Sequence, residues 1–158
     1  LDVIVVGEIR EIATMTTALR AIETGHLVMG TLHTYNAPQT VHRIIDMYPS
    51  EQQDQVRSQL AQTLVAVMCQ TLIPKKDDIG RLPAVEVILA NNAVRNLIRE
   101  GRIHQLYSVT QVSRKQGMQT PNQSMVDLII KGLISCDEAY IRSNNIGDLK
   151  APATYWKS

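Results

Sequence analysis

Three side chains in the first part of the chain are of the right types to do chemistry together. Glu8 follows an apolar run, Val3-Ile4-Val5-Val6, and Gly7; His26 and His33 bracket a second apolar run. A carboxylate at such a place can orient a water, accept its proton or hold a hydrated metal ion, and an imidazole near neutral pH can do the first two. The rest of the chain offers no comparable grouping. Cys69 and Cys136 lie far apart and inside helix-like patterns, which suits buried thiols in a reducing compartment, and no C-x-x-C pair stands ready for structural zinc.

The elements that would carry these groups follow from periodicity. Val3 to Val6 is β-branched and continuous, as in a buried parallel strand, and Glu8 would then sit at its C-terminal edge, where open α/β sheets place their ligands. Met15, Leu19 and Ile22 recur at helical spacing and Gly25 supplies a left-handed stop. His26 to Leu32 reads as a second strand, so strand, helix and strand form one βαβ unit with Glu8 and the histidines near one end. Alternation along that strand sends His26 and His33 to opposite faces unless Gly30 permits a bulge, which makes His33 the stronger candidate.

Further along, Asn36 and Pro38 open a helix with the stripe Val41, Ile44, Ile45 and Tyr48, stopped by Pro49. Ser50-x-x-Gln53 reads as a capping box for a longer helix whose Val56, Leu60, Leu64, Val67 and Met68 face a core. Gln70 to Ile73 and Pro83 to Ala90 flank a polar turn and are expected to form a hairpin that closes the sheet. From Asn92 the pattern is helical throughout: Asn92 caps Ala93 to Glu100, Arg102 to Lys115 continues, Thr120-Pro121-x-Gln123 starts another helix, and Ser135-x-x-Glu138 the last.

The segments VIVVGEIR and TGHLVMGTLHT, with Ala93-Val94-Arg95-Asn96-Leu97-Ile98-Arg99-Glu100, carry a specific resemblance. The first two resemble the Walker B box and the histidine box of the ATPases that power type IV pili and type II secretion. The octapeptide resembles, with Val94 as its departure, the AIRNLIRE motif of the type IV pilus retraction ATPases, the twitching-motility PilT family. HQLYS, GMQT and KGLIS are similar too, so the resemblance runs from Leu1 to about Arg142.

The resemblance implies an α/β fold, the second half of a RecA-like P-loop ATPase core over residues 1–91, followed by a helical C-terminal subdomain over 92–143; the tail over 144–158 lies outside the resemblance and is expected to be disordered. It implies ATP with Mg2+ as cofactor, Glu8, His33 and His26 as catalytic residues, and Gly7, Glu8 and Arg10 as the Walker B side of the nucleotide site, with Mg2+ reached by Glu8 through water. It further implies a homo-hexameric motor at the cytoplasmic face of the inner membrane, docked on the pilus platform protein. A G-x4-G-K-[ST] loop is missing: Gly25 and Gly30 have the spacing, but Thr31-Leu32 follows. The Walker A half is therefore expected elsewhere, in a longer protein, and this segment alone is expected to be inactive.

The family usually continues its Walker B as R-D-x-E-T, whereas Arg10 is followed here by Glu11, Ile12, Ala13 and Thr14, which deletes one carboxylate. Two other functions fit the residues: a related secretion or conjugation ATPase, or a fragment that binds a partner and hydrolyses nothing. The 16 basic and 15 acidic side chains give no reason to expect nucleic acid as a partner. No apolar run approaches the roughly 20 residues of a membrane span.

Overall fold

The computed structural model describes residues 2–77 and 79–150. In chain order the elements are β1 (Val3–Val6), α1 (Ile12–Glu23), β2 (Leu27–Gly30), α2 (Ala37–Asp46), α3 (Ser50–Thr63), β3 (Ala66–Pro74), β4 (Arg81–Leu89), α4 (Asn92–Arg99), α5 (Leu106–Val112), α6 (Pro121–Ile130) and α7 (Cys136–Arg142). Among the described residues no helix is long and apolar enough to cross a membrane.

The chain divides into two compact units, residues 1–67 with 89–109, and residues 68–88 with 110–158. The cut differs from the boundary expected at residue 91. The β3–β4 hairpin belongs with the later helices because its inner residues Ile73 and Ala84 pack with Met125, Ile129, Ile134 and Ala139, whereas α4 buries its apolar face with α3 in the first unit.

In the first unit β1 and β2 pair in parallel, Val3 opposite Leu27 through Val6 opposite Gly30, with α1 as the crossover. Helix α1 forms on the expected stripe, burying Met15, Ala18 and Leu19, and Gly25 takes a φ of 93° to turn the chain into β2. The continuous apolar run of β1 predicts burial on both faces, yet Val5 is 75% exposed and Val3 47%. Nothing among the described residues covers that face; Ile4 and Val6, on the other, are half-buried.

The Asn36 cap of α2 forms, its side chain accepting from Gln39 N at 2.8 Å, and Val41, Ile44, Ile45 and Tyr48 are buried. The expected Ser50–Gln53 box does not: Pro49 stands at the N-cap of α3 and Gln53 reaches back to Tyr48 O at 3.1 Å. Nor does α3 run on to Met68. It ends at Thr63, Leu64 is extended, and Ala66 to Met68 enter β3, leaving Met68 74% exposed. The apolar spacing there fits either period, and the β-branched Val65 and Val67 favour the strand. Cys69 consequently lies in β3 rather than in a helix.

In the second unit Gln119 pairs with Val87 of β4, and its amide donates to Val85 O at 2.8 Å, while Ser124 Oγ accepts from Val85 N at 3.0 Å. The edge of β4 is thereby satisfied by the start of α6. The Thr120–Gln123 capping box forms in both directions, and Ser135 caps α7. The expected continuous helix from Arg102 to Lys115 is instead two short 3-10 turns around α5, closed by Gly117 at a φ of 90°. Residues 144–150 are tied to this unit, not disordered: Leu149, 6% exposed, joins its core, and Asn122 donates to Asn145 O at 2.7 Å. Residues 151–158 of the expected tail lie outside the described residues.

Candidate active site

Parallel pairing of β1 and β2 brings their C-terminal ends side by side, and hydrogen bonds continue beyond the strands to shape the elbow that holds Glu8. Ile9 N donates to Thr31 O at 2.9 Å, and the Thr31 hydroxyl donates to Gly7 O. Ile9, only 7% exposed, lies over Gly30, where an added Cβ would come within 2.5 Å of its Cδ1. Gly30 therefore serves close approach between the strand end and the elbow, not a bulge.

On this frame Glu8 meets two partners. His33 Nε2 donates to Glu8 Oε1 at 2.9 Å, and Arg10 Nε donates to the same oxygen. The Arg10 guanidinium beside Glu8 holds its carboxyl below the usual range against the opposing effect of desolvation, with His33 helping. Arg10 is raised in turn by the carboxylate. The side chains of Arg10 and His33 are 73% and 84% exposed, so the group opens to solvent. A carboxylate flanked by an imidazole and a guanidinium can orient a water, take its proton, and hold anionic oxygens nearby.

His26 does not join this group. It precedes β2, at the opposite strand end, where its Nδ1 lies 3.0 Å from Ala21 O and 3.1 Å from Thr24 Oγ1. A carbonyl only accepts, so Nδ1 carries the hydrogen and His26 closes the last turn of α1. The expectation of two histidines at one end fails because β2, running from Leu27 to Gly30, separates them. A cavity of about 350 Å³ between α1 and the sheet, lined by Ile4, Val6, Ala13, Thr17 and Val28, is apolar and does not include Glu8, Arg10 or His33.

The residues Ala93 to Glu100 lie on α4 and its C-cap. Asn91, not Asn92, is the N-cap, accepting from Val94 N at 3.0 Å. Val94, Leu97 and Ile98 are buried as the spacing predicts, and Ala93, Asn96, Arg99 and Glu100 are exposed. Arg95 and Arg99 do not form one exposed face. Arg95 Nη1 donates to Ala61 O at 2.6 Å and Gln62 O at 2.8 Å, in the last turn of α3, whereas Arg99 donates to Asn96 Oδ1 at 3.0 Å, within its own helix. Glu100 pairs with Arg102. Sequence reasoning missed Ile9 and Gly30 as the support of the elbow and Arg95 as a helix cap; the pairing of a glycine with an isoleucine just past an acid was the available signal for the first.

Residues 2–141 match the family model described as type II/IV secretion system protein. The twitching motility protein of Neisseria gonorrhoeae is 49% identical over 144 residues, 91% of this chain and 38% of that protein. The type IV pilus retraction ATPase PilT of Pseudomonas aeruginosa is 47% identical over 138 residues, 87% of this chain and 40% of that protein. Among solved structures, the pilus retraction motor PilT with bound ADP superposes with a TM-score of 0.83 at 47% identity, covering 94% of this chain and 41% of that one. The ATPase DotB of Legionella pneumophila gives 0.76 at 27% identity, over 89% and 38%. The chain thus spans about two fifths of the length of these relatives. Its architecture is that of the corresponding part of a RecA-like ATPase core with its helical extension. With the family model matched over nearly the whole described chain, this protein belongs to the type II/IV secretion system protein family.

Proposed function

We propose that this chain is part of an ATP-hydrolysing motor that drives retraction of type IV pili. The observation that carries the proposal is the Glu8–His33 pair, joined at 2.9 Å across the C-terminal ends of two parallel strands, in a chain 49% identical to a twitching motility protein. Glu8 orients the attacking water and receives its proton; His33 fixes the carboxylate by donating to it and faces the transferring group. Arg10 neutralises Glu8 in the absence of substrate.

ATP with Mg2+ is the cofactor. Carboxylate oxygen suits a hard hydrated cation, so Glu8 would hold Mg2+ through water, and the ion would supply charge neutralisation at the phosphates. The residues present fit one side of such a site; the glycine-rich loop and lysine that cradle the β- and γ-phosphates belong to another part of the full protein. The motor acts as a homo-hexamer on the cytoplasmic face of the inner membrane, against the pilus platform protein. The alternative of a secretion motor is less well supported, because the match to the secretion protein HxcR of Pseudomonas aeruginosa is 29% identical against 47% and 49% for the twitching relatives.

The test is to express the full-length protein that contains this segment, measure ATP hydrolysis, and supply it to cells lacking their own retraction motor. Hydrolysis with restored twitching is expected. Hydrolysis without twitching would move the protein to the secretion class, and no hydrolysis would leave a binding module.

A further inference from the structure

Helix α4 has only eight residues, too short to hold its shape or its orientation alone. Val94, Leu97 and Ile98 anchor it by apolar contact, which is non-directional and leaves rotation and sliding loosely specified. The directional contacts come from its N-terminal half. Ala90 N donates to Val65 O at 2.9 Å, Asn91 caps the first turn, and Arg95 donates from a single nitrogen to two consecutive carbonyls of α3.

Those carbonyls need a donor. α3 ends at Thr63 and the chain turns extended at Leu64, so the N–H groups of Val65 and Ala66 that a longer helix would aim at Ala61 O and Gln62 O are carried off into β3. No basic residue stands in the last turn of α3 itself. The cation is supplied from α4, at the favourable end of the α3 dipole. Ala61 and Val94, both fully buried, flank the contact.

We infer that Arg95 is a positioning residue: its clamp on Ala61 O and Gln62 O sets the rotation and register of α4 on α3, so that Asn96 and Arg99 are presented to solvent in one fixed geometry. The two arginines of the motif thus have different tasks, Arg95 inward and Arg99 outward. The role in retraction rests on the motor function proposed above; the clamp itself rests on the contacts alone.

The experiment uses the full-length protein and four variants, Arg95→Ala, Arg95→Lys, Arg95→Ala with Gln62→Lys, and Arg99→Ala. Loss of hydrogen bonds to a charged donor should raise amide exchange of Asn96 to Arg99 in Arg95→Ala by about tenfold or more. ATP hydrolysis should stay within about twofold, whereas retraction in cells should fall at least about tenfold, since the helix whose sequence resembles the retraction-ATPase motif, and not the Glu8–His33 pair, is disturbed. Arg95→Lys keeps a cation with several donors and should restore part of both losses. Gln62→Lys returns positive charge to the last turn of α3 and should recover thermal stability, but neither α4 protection nor retraction. Arg99→Ala should leave α4 protection unchanged. If Gln62→Lys restores retraction, Arg95 is only a helix cap and the positioning role falls. Unchanged exchange in Arg95→Ala overturns the clamp outright. If the unaltered protein fails to support retraction at all, the motor function is what fails, and amide exchange still decides the clamp.

Discussion

The corner at Glu8 and the helix α4 both present charged groups from the first unit, and they are built in opposite ways. At Glu8, itself 27% exposed, the partners Arg10 and His33 are largely solvent-facing, and what fixes the corner is backbone: parallel pairing, the Ile9–Thr31 bond and the close fit of Ile9 over Gly30. On α4 the exposed Arg99 stands on a fully packed face, Val94 and Ile98 at 0% exposure and Leu97 at 7%, with Arg95 tying it to α3. An open cluster of charges contributes little packing, whereas a packed face is a structural unit that presents a charge. Substitutions should therefore register on turnover at Glu8 and on stability at the buried positions of α4.

The largest stability effect is expected at the base of α4. Ile98→Ala removes a completely buried side chain and should cost about 2 to 5 kcal/mol, with Leu97→Ala close behind, measured by the denaturant midpoint. A cost under about 1 kcal/mol would mean that α4 is not packed as described.

Next in size is Gly30→Ala, whose Cβ would meet Ile9 Cδ1 at 2.5 Å. The clashing atom is the tip of a side chain that can rotate, so the expected cost is near the lower end of overpacking, about 1 kcal/mol. Ile9→Val in the same protein should recover most of it. Failure of that rescue would remove Ile9 as the support of the elbow.

Arg99→Ala should change stability by less than about 0.5 kcal/mol, because it is exposed and its partner among the described residues is the exposed Asn96. A larger loss in thermal denaturation would erase the contrast drawn between the two arginines.

The smallest expected effect concerns the protonation of Glu8. Its carboxyl is held below the ordinary glutamate value by Arg10, so any stabilisation from the pair is present above that value and is lost as the pH falls through the depressed one. Carboxyl-carbon NMR should show Glu8 titrating lower than a solvated glutamate, and Arg10→Ala should shift it upward. An unmoved titration in Arg10→Ala would show that the pair does not form in solution.

How much of this was readable beforehand depended on whether the cause was local. Strand, acid, helix and strand follow from Val3–Val6, Glu8, the Met15–Leu19 stripe and Gly25, and parallel pairing then requires Glu8 and His33 to meet. The buried face of α4 follows equally from spacing. Histidine chemistry says nothing about which strand end His26 occupies; the turn at Thr24–Gly25 and the carbonyl of Ala21, which also accepts from His26 N and Thr24 Oγ1, decide that. The extent of α3 was misread because Leu64 to Met68 satisfies two periods, and the donor role of Arg95 depends on where α3 stops. Long-range satisfaction of backbone groups is the part that local pattern does not encode.

One substitution tests directly whether Glu8 is the acid of an ATP-hydrolysing site. In the full-length protein Glu8→Gln should leave nucleotide binding intact, by calorimetry, and lower turnover at least about a hundredfold, as expected when a proton-accepting and water-orienting group is neutralised without loss of shape. ATP hydrolysis at the original rate by Glu8→Gln would contradict that role, leaving Glu8 as a polar residue at a strand end.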